Sequence, residues 1–299
     1  MPKKITVFGN ILVIILLAVS AFVWYRVLHV YSQPPETPEL TVAFLNVGQG
    51  DSIFIKTPSN KHILIDGGTI PKEWSNFNAG AKVVVPYLQA KSICTLDIVI
   101  GTHPDLDHIG GLLAVLQTLK VNKFIDAGTI STTQTYQELL NLIDKKHIKY
   151  IIAKPGFIDI DPAIKLEILS PINEVFKEDS NNNSIVLRLE YNKVSFLLTA
   201  DIGVAAEKYY IQKYGDHLRS DIMKIAHHGG KNSTSVELLN CALPSAAIIS
   251  VGKNNPFGHP SKEVLDKLKN LGTTVYRTDK LGTIIIRTDG EKYRIFKEC

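Results

Sequence analysis

The 299-residue sequence predicts an α/β (α+β) domain of two stacked sheets with helices outside, set behind one N-terminal membrane-spanning helix. Three observations point there. Short β-branched stretches bounded by turn residues occupy both ends of the chain and bracket a helix-rich middle. The chain beyond the first 40 residues is long enough for one domain with a sizeable core. The first 30 residues are unlike the rest: Lys3 and Lys4 precede an apolar run from Ile5 to Tyr25, broken only by Asn10.

Residues 1–30 read as the anchor, because that run approaches the roughly 20 residues a spanning helix needs. The lysines favour a cytoplasmic N-terminus and place the following domain outside the membrane, although Arg26 weakens the asymmetry. A cleaved signal peptide, with secretion, is the rival: Ala18-Val19-Ser20 offers a cleavage site, yet apolar Phe22-Val23-Trp24-Tyr25 continues past it. Residues 31–40, with Pro34, Pro35 and Pro38, read as a linker, and residues 41–299 as the domain.

Within the domain, Thr41–Asn46, Ser52–Thr57 and Lys61–Asp66 read as a strand meander with turns at Gly48-Gln49-Gly50 and Pro58-Ser59-Asn60, followed by a helix from Ala79 to Lys91. Leu96–Thr102 is a buried strand, and Gly110-Gly111 opens a helix at Leu112–Leu116. A helix over Ile130–Lys146, strands at Lys149–Ala153 and Lys165–Leu169, and a hairpin of Ile185–Glu190 with Val194–Thr199 come next. Helix Val204–Tyr214, strand Asp221–Ala226, helix Val236–Cys241, strand Ala246–Val251, helix Ser261–Leu271 and two closing strands complete the pattern.

The chemistry is concentrated in His103-Pro104-Asp105-Leu106-Asp107-His108, four metal-competent side chains at a strand-to-helix turn. In extended chain His103, Asp105 and Asp107 share a face, and a tightening turn aims Asp107 and His108 at a second ion. Helix-capping carboxylates and surface histidines explain any one of these residues, but not all four together. Asp201 ends an apolar strand, where it is either a ligand or the cap of the next helix. His227-His228 ends another; neighbours on a strand point to opposite faces, so one of the two reaches the metals.

The loop resembles the HxHxDH signature of the metallo-β-lactamase superfamily. Phe44-Leu45-Asn46-Val47-Gly48-Gln49-Gly50-Asp51-Ser52, Leu64-Ile65-Asp66-Gly67-Gly68, Leu197-Leu198-Thr199-Ala200-Asp201, His227-His228-Gly229 and Gly258-His259-Pro260 resemble the hydrolase domain of the ComEC family of DNA-uptake proteins, from about Thr41 to about Arg294. The resemblance implies an αββα four-layer sandwich that holds two divalent metal ions, zinc or manganese, and acts as a phosphodiesterase (nuclease) on DNA outside the membrane. It implies His103 and Asp105 on one ion, Asp107 and His108 on the other, and Asp201 bridging them. His227 is assigned as ligand and His228 to the chemistry with Asp107, with the order of the two histidines left open. Asp51 and Asp66 are expected to orient ligand histidines by hydrogen bonds. Asn181, Ser184, Lys231, Asn255 and His259 are expected at the substrate, His259 holding a phosphate oxygen or protonating the leaving group. Two departures stand out. Asp105 replaces the second histidine of the superfamily signature, as in ComEC-like domains, which adds a hard oxygen ligand and favours manganese or magnesium relative to zinc. Gly230 stands where the family commonly has serine.

The net charge of +4 belongs mostly to the anchor: Lys3, Lys4 and Arg26 lie in residues 1–30 with no acids, leaving 30 basic against 29 acidic residues elsewhere. A polyanion would therefore need a local patch, for which Lys224, Lys231, Lys253, Lys262, Arg277 and Lys280 are candidates. Cys94, Cys241 and Cys299 form no CxxC, which excludes a zinc ribbon or disulfide framework; the first two read as small core residues. Three functions remain open: a DNA phosphodiesterase serving DNA-import machinery, a hydrolase of another ester (choline-phosphate, lactone or β-lactam), and a non-catalytic DNA-binding module.

Overall fold

A computed structural model describes residues 16–22, 24–25, 38–70, 77–171, 173–176 and 179–298. The chain divides into residues 1–38 and a compact unit, Glu39–Cys299. The expected anchor and linker fall largely outside the described residues. Of that stretch, residues 16–22 and 24–25 are helical. Among the described residues no helix is long and apolar enough to cross a membrane.

The compact unit is built on two sheets. The first has eight strands, in chain order β1 (Leu40–Phe44), β2 (Ile53–Lys56), β3 (His62–Ile65), β4 (Thr95–Gly101), β5 (Lys120–Asp126), β6 (Lys149–Ile152), β14 (Thr283–Thr288) and β15 (Tyr293–Glu298). They lie side by side as β15-β14-β1-β2-β3-β4-β5-β6. The second orders β13 (Thr274–Arg277), β12 (Ala246–Ile249), β11 (Ile222–Lys224), β10 (Val194–Leu198), β9 (Leu187–Tyr191), β8 (Lys165–Ile168) and β7 (Gly156–Ile158). Each sheet is part antiparallel and part parallel. In the first, β3 to β6 run parallel; in the second, β10 to β13 do.

Helices α1 (Val85–Ala90), α2 (Leu106–Ile109), α3 (Leu112–Thr118) and α4 (Gln134–Lys145) follow strands of the first sheet. After the short α5 (Asn173–Phe176), α6 (Val204–Tyr214), α7 (Val236–Ala242) and α8 (Lys262–Leu271) accompany the second, and α9 (Thr278–Leu281) is a single turn. Three apolar clusters make four layers. Ile55, Ile98, Leu187, Phe196 and Ile248 fill the space between the sheets. Val99, Leu112, Leu116 and Leu139 join helices to the first sheet, and Leu197, Ala206, Leu239 and Leu268 do so for the second. Because both sheets are covered on both faces, β4, β10 and β12 read as continuous apolar runs rather than alternating ones.

Several expectations are corrected. The helix expected from Ile130 begins at Gln134: Thr133 is still extended and Ile130 is 88% exposed in the preceding loop. Strands β5 and β7 were not expected. In β5, apolar residues at 121, 124 and 125 break the period of two, and β7 is a three-residue edge strand. Three strands, not two, close the chain. Cys94 is exposed and so is not a core residue, whereas Cys241 is half-buried and packs against the core beside the second sheet.

Candidate metal centre

The parallel strands set the site. The C-terminal ends of β4 and of β10–β11 come together, and the loops that leave them carry His103 to His108, Asp201 and His228. The metal loop is seated by backbone packing: Asp51 N donates to Asp107 O and Gly67 N to His108 O. A Cβ on Gly50 would meet Asp107 O at 2.1 Å, and one on Gly111 would meet Gly67 O at 2.0 Å, so glycine is required where the turns abut.

Three imidazoles converge with their Nδ1 atoms already held. His228 Nδ1 donates to Ser250 O at 2.9 Å and His108 Nδ1 to Asp66 at 2.8 Å. Thr102 Oγ1 gives its one proton to Asp66, so it accepts from His103 Nδ1 at 3.0 Å. Each ring therefore turns its Nε2 toward the cluster. Those of His108 and His228 stand 3.2 and 3.3 Å from Asp201 Oδ2, and Asp107 Oδ2 lies 3.4 Å from His228 Nε2. The Nε2 atoms of His103, His108 and His228 are buried; that of His103 has no hydrogen-bond partner among the described residues, and those of His108 and His228 face only the carboxylates of Asp201 and Asp107. Buried polar atoms without partners are rare in folded proteins, and three buried imidazoles gathered around one carboxylate fit a cation. Four groups among the described residues are compact enough to hold one, the ligand atoms of each lying within 4.8 Å of one another; two of them, His103, His108 and Asp201, and Asp107, His108 and His228, use the Nε2 side of the imidazoles, and the other two, Asp51, Asp201 and His228, and Asp51, Asp66 and His108, include Asp51.

The electrostatics agree. Burial pushes the His108 and His228 imidazoles down, but the carboxylates outweigh it: Asp201 and Asp66 raise His108 well above its usual value, and Asp201, Asp107 and Asp51 push His228 up to about 10. Burial likewise opposes the charge on Asp201, yet His228, His108 and Lys224 hold it well below the carboxylate range. The cluster is a demand for positive charge in a dry place.

The expected residues are placed as follows. The histidine assignment is exchanged: His228 is buried in the cluster, whereas His227 is half-buried with its ring 5.6 Å from that of His259 and joins no ligand group. The reason is local. Residues 227 and 228 form a single turn with φ of 50° and 54°, so strand alternation does not apply. Asp105 also stays outside the compact groups, its side chain 45% exposed and 3.8 Å from His103 Nε2. Asp66 holds His108 and Thr102. Asp51 lies 3.6 Å from His228 Nδ1 but spends its Oδ2 on Lys224.

Ser184 turns its hydroxyl to Asn181 O, while Asn181 Oδ1 is buried without a partner among the described residues. Asn255 braces its loop: Nδ2 donates to Gly252 O and His259 O, and Oδ1 accepts from Phe257 N and His259 N. Lys231 is exposed in the turn after His228, and His259 is half-buried beside it. A Cβ at Gly230 would approach His259 Nε2 to 3.1 Å, so the missing side chain leaves that nitrogen uncovered.

Two features escaped sequence reasoning. Lys224, expected in a surface patch, is fully buried against Asp51 and Asp201. Phe257 stands 56% exposed with its ring 5.7 Å from that of His259. A Lys in a strand next to His-His is the only signal for the first.

The chain is similar in sequence and in fold to known proteins. ComE operon protein 3 of Bacillus subtilis is 33% identical over 263 residues, 85% of this chain and 34% of that protein. Competence protein ComA of Neisseria gonorrhoeae is 29% identical, covering 90% and 34%, and recombination protein 2 of Haemophilus influenzae is 30% identical, covering 83% and 29%. The chain spans about a third of the length of these relatives. Among solved structures, the metallo-beta-lactamase fold protein YhfI of Bacillus subtilis aligns over 84% of this chain and all of its own, with a TM-score of 0.55 at 14% identity. CmlA, a diiron beta-hydroxylase of Streptomyces venezuelae, aligns over 89% and 55%, with a TM-score of 0.53 at 12% identity. These two show the fold alone. The model of the metallo-beta-lactamase superfamily matches residues 45–253, from the strand before Asp51 to the loop after Ser250, and the chain therefore belongs to that superfamily.

Proposed function

We propose that this protein is a metal-dependent phosphodiesterase that cleaves DNA on the outer side of a membrane, anchored by residues 1–30 and serving DNA-import machinery. The observation that carries the reading is the gathering of three buried imidazoles around Asp201, with the Nε2 atoms of His108 and His228 3.2 and 3.3 Å from its Oδ2 and that of His103 without a hydrogen-bond partner among the described residues. The names of the relatives, competence and recombination proteins, support DNA as substrate. So do exposed Phe257, whose ring stands 5.7 Å from that of His259, and exposed Lys231 and Lys253 in the loops that carry His228 and His259, an aromatic face and basic groups suited to an unstacked strand.

His103, His108, His228, Asp107 and Asp201 would hold the cations. When bound, a pair of divalent ions, zinc or manganese, supplies Lewis-acid polarisation of an ester and acidifies nearby water. The chain's own part is orientation: Asp66, Thr102 and the Ser250 carbonyl fix the imidazoles. Burial and the neighbouring His228 and His227 hold His259 below its usual pKa, so its ring is neutral near pH 7 and offers an N–H to a phosphate oxygen rather than a proton to a leaving group.

The test is incubation of the purified chain, loaded with Mn2+ or Zn2+, with single-stranded DNA. Nucleotides are expected to be released, and EDTA, Asp107→Ala or Asp201→Ala should stop the release, the variants together with loss of bound metal. Turnover of a choline-phosphate ester, lactone or β-lactam with DNA left intact, or DNA binding that never leads to cleavage, would end the proposal.

A further inference from the structure

The buried lysine takes no part in the scheme above. Lys224 closes β11 and is fully buried, and its three ammonium protons are all engaged: Ala200 O at 2.7 Å, Asp201 Oδ1 at 3.3 Å and Asp51 Oδ2 at 2.5 Å. A buried ammonium persists only when it is paired and hydrogen-bonded in this complete way. The groups it touches are themselves ligand material. Asp51, Asp201 and His228 form a third compact set whose ligand atoms lie within 4.8 Å of one another, and Asp51 Oδ1 is buried with no partner among the described residues.

We infer that Lys224 is a resident cation: its ammonium fills the place between Asp51 and Asp201 that the two carboxylates would otherwise offer to a divalent ion. The two oxygens of Asp201 are thereby divided. Oδ1 belongs to Lys224, and Oδ2 alone faces His108 and His228. Lys224 thus acts as a positioning residue, keeping Asp51 out of coordination and confining exchangeable metal to one side of Asp201. An ammonium suits that task because it supplies charge and three directed donors but cannot be lost to a chelator.

The inference rests on the metal-centre reading, and its test separates the two. The full chain and its Lys224→Met variant, which keeps most of the stem and removes the charge, are equilibrated with Mn2+, and bound metal per chain is measured by mass spectrometry. The variant is expected to hold one more Mn2+ than the wild type, and adding Asp51→Asn to it should remove the extra ion. An equal count in the two folded proteins overturns the inference while leaving the metal centre intact; a wild type that binds no Mn2+ overturns both. Refolding of Lys224→Met from urea covers a variant too unstable to load. Recovery is expected with Mn2+ and not with EDTA, and equal recovery in both, or none in either, also overturns it.

Discussion

Asp66 shows how much of the site depends on a residue that need not touch metal. Its carboxylate accepts from Thr102 N, Thr102 Oγ1 and His108 Nδ1, all buried. Asp66→Asn keeps the shape but replaces an acceptor-only group, so one of these donors meets an NH2. Metal affinity is expected to fall by roughly 10- to 100-fold, read by titration calorimetry with Mn2+. The imidazoles give a second expectation. In the metal-free protein His228 is pushed up to about 10, above its unfolded value near 6.5. Its contribution to stability is therefore complete below about pH 6.5 and lost as pH rises toward 10. Melting in EDTA should accordingly fall across that window, whereas metal loading at pH 7.5 should release protons, seen as a buffer-dependent binding enthalpy. The residue scale is also where the sequence was most and least legible. The ligands from His103 to His108 lie within one loop and announce themselves, but the choice between His227 and His228 turns on two left-handed backbone angles that no side-chain pattern encodes. The burial of Lys224 depends on contacts with residues 51 and 201, far away in the chain.

At the scale of elements, the loop between β12 and α8 is the part most open to change. Asn255 ties it at both sides through four backbone contacts, and Phe257 rides on that braced segment. Removing the brace with Asn255→Ala should raise KM for an oligonucleotide several-fold with little change in bound metal, since no ligand belongs to this loop. Phe257→Ala should weaken binding of single-stranded DNA by about 1–3 kcal/mol, the usual worth of one base on an aromatic ring, and should leave binding of an abasic strand unchanged. A fluorescence anisotropy titration distinguishes the two substitutions. Strong periodic segments were readable in advance: the meander, the helix after Asp201 and the helix capped by Ser261 all form near their expected bounds. What was missed was weakly patterned, namely β5, whose residues face two different neighbours, and the short edge strand β7.

For the whole molecule, the site is a seam. His103 and His108 follow a strand of the first sheet, Asp201 and His228 follow strands of the second, and the inter-sheet core of Phe44, Phe196 and Ile248 lies behind them. Binding to the folded state alone stabilises by about 2.7 kcal/mol at a ligand concentration 100 times Kd. Mn2+ in that excess should therefore raise the melting temperature of the wild type and leave Asp201→Ala nearly unmoved. Phe196→Ala, fully buried between the sheets, is expected to cost about 3–5 kcal/mol and to loosen metal binding although it lies in the core.

The glycines under the metal loop carry a further consequence. Gly67, Gly80 and Gly111 meet backbone to backbone, and a single methyl on Gly111 would have to displace carbonyl oxygen rather than a side chain. The histidine and aspartate cluster is thus held in register partly by atoms that are missing. Mutational damage to this protein should therefore cluster at positions bearing no functional group at all, where an alanine disrupts the site as thoroughly as the loss of one of its imidazoles.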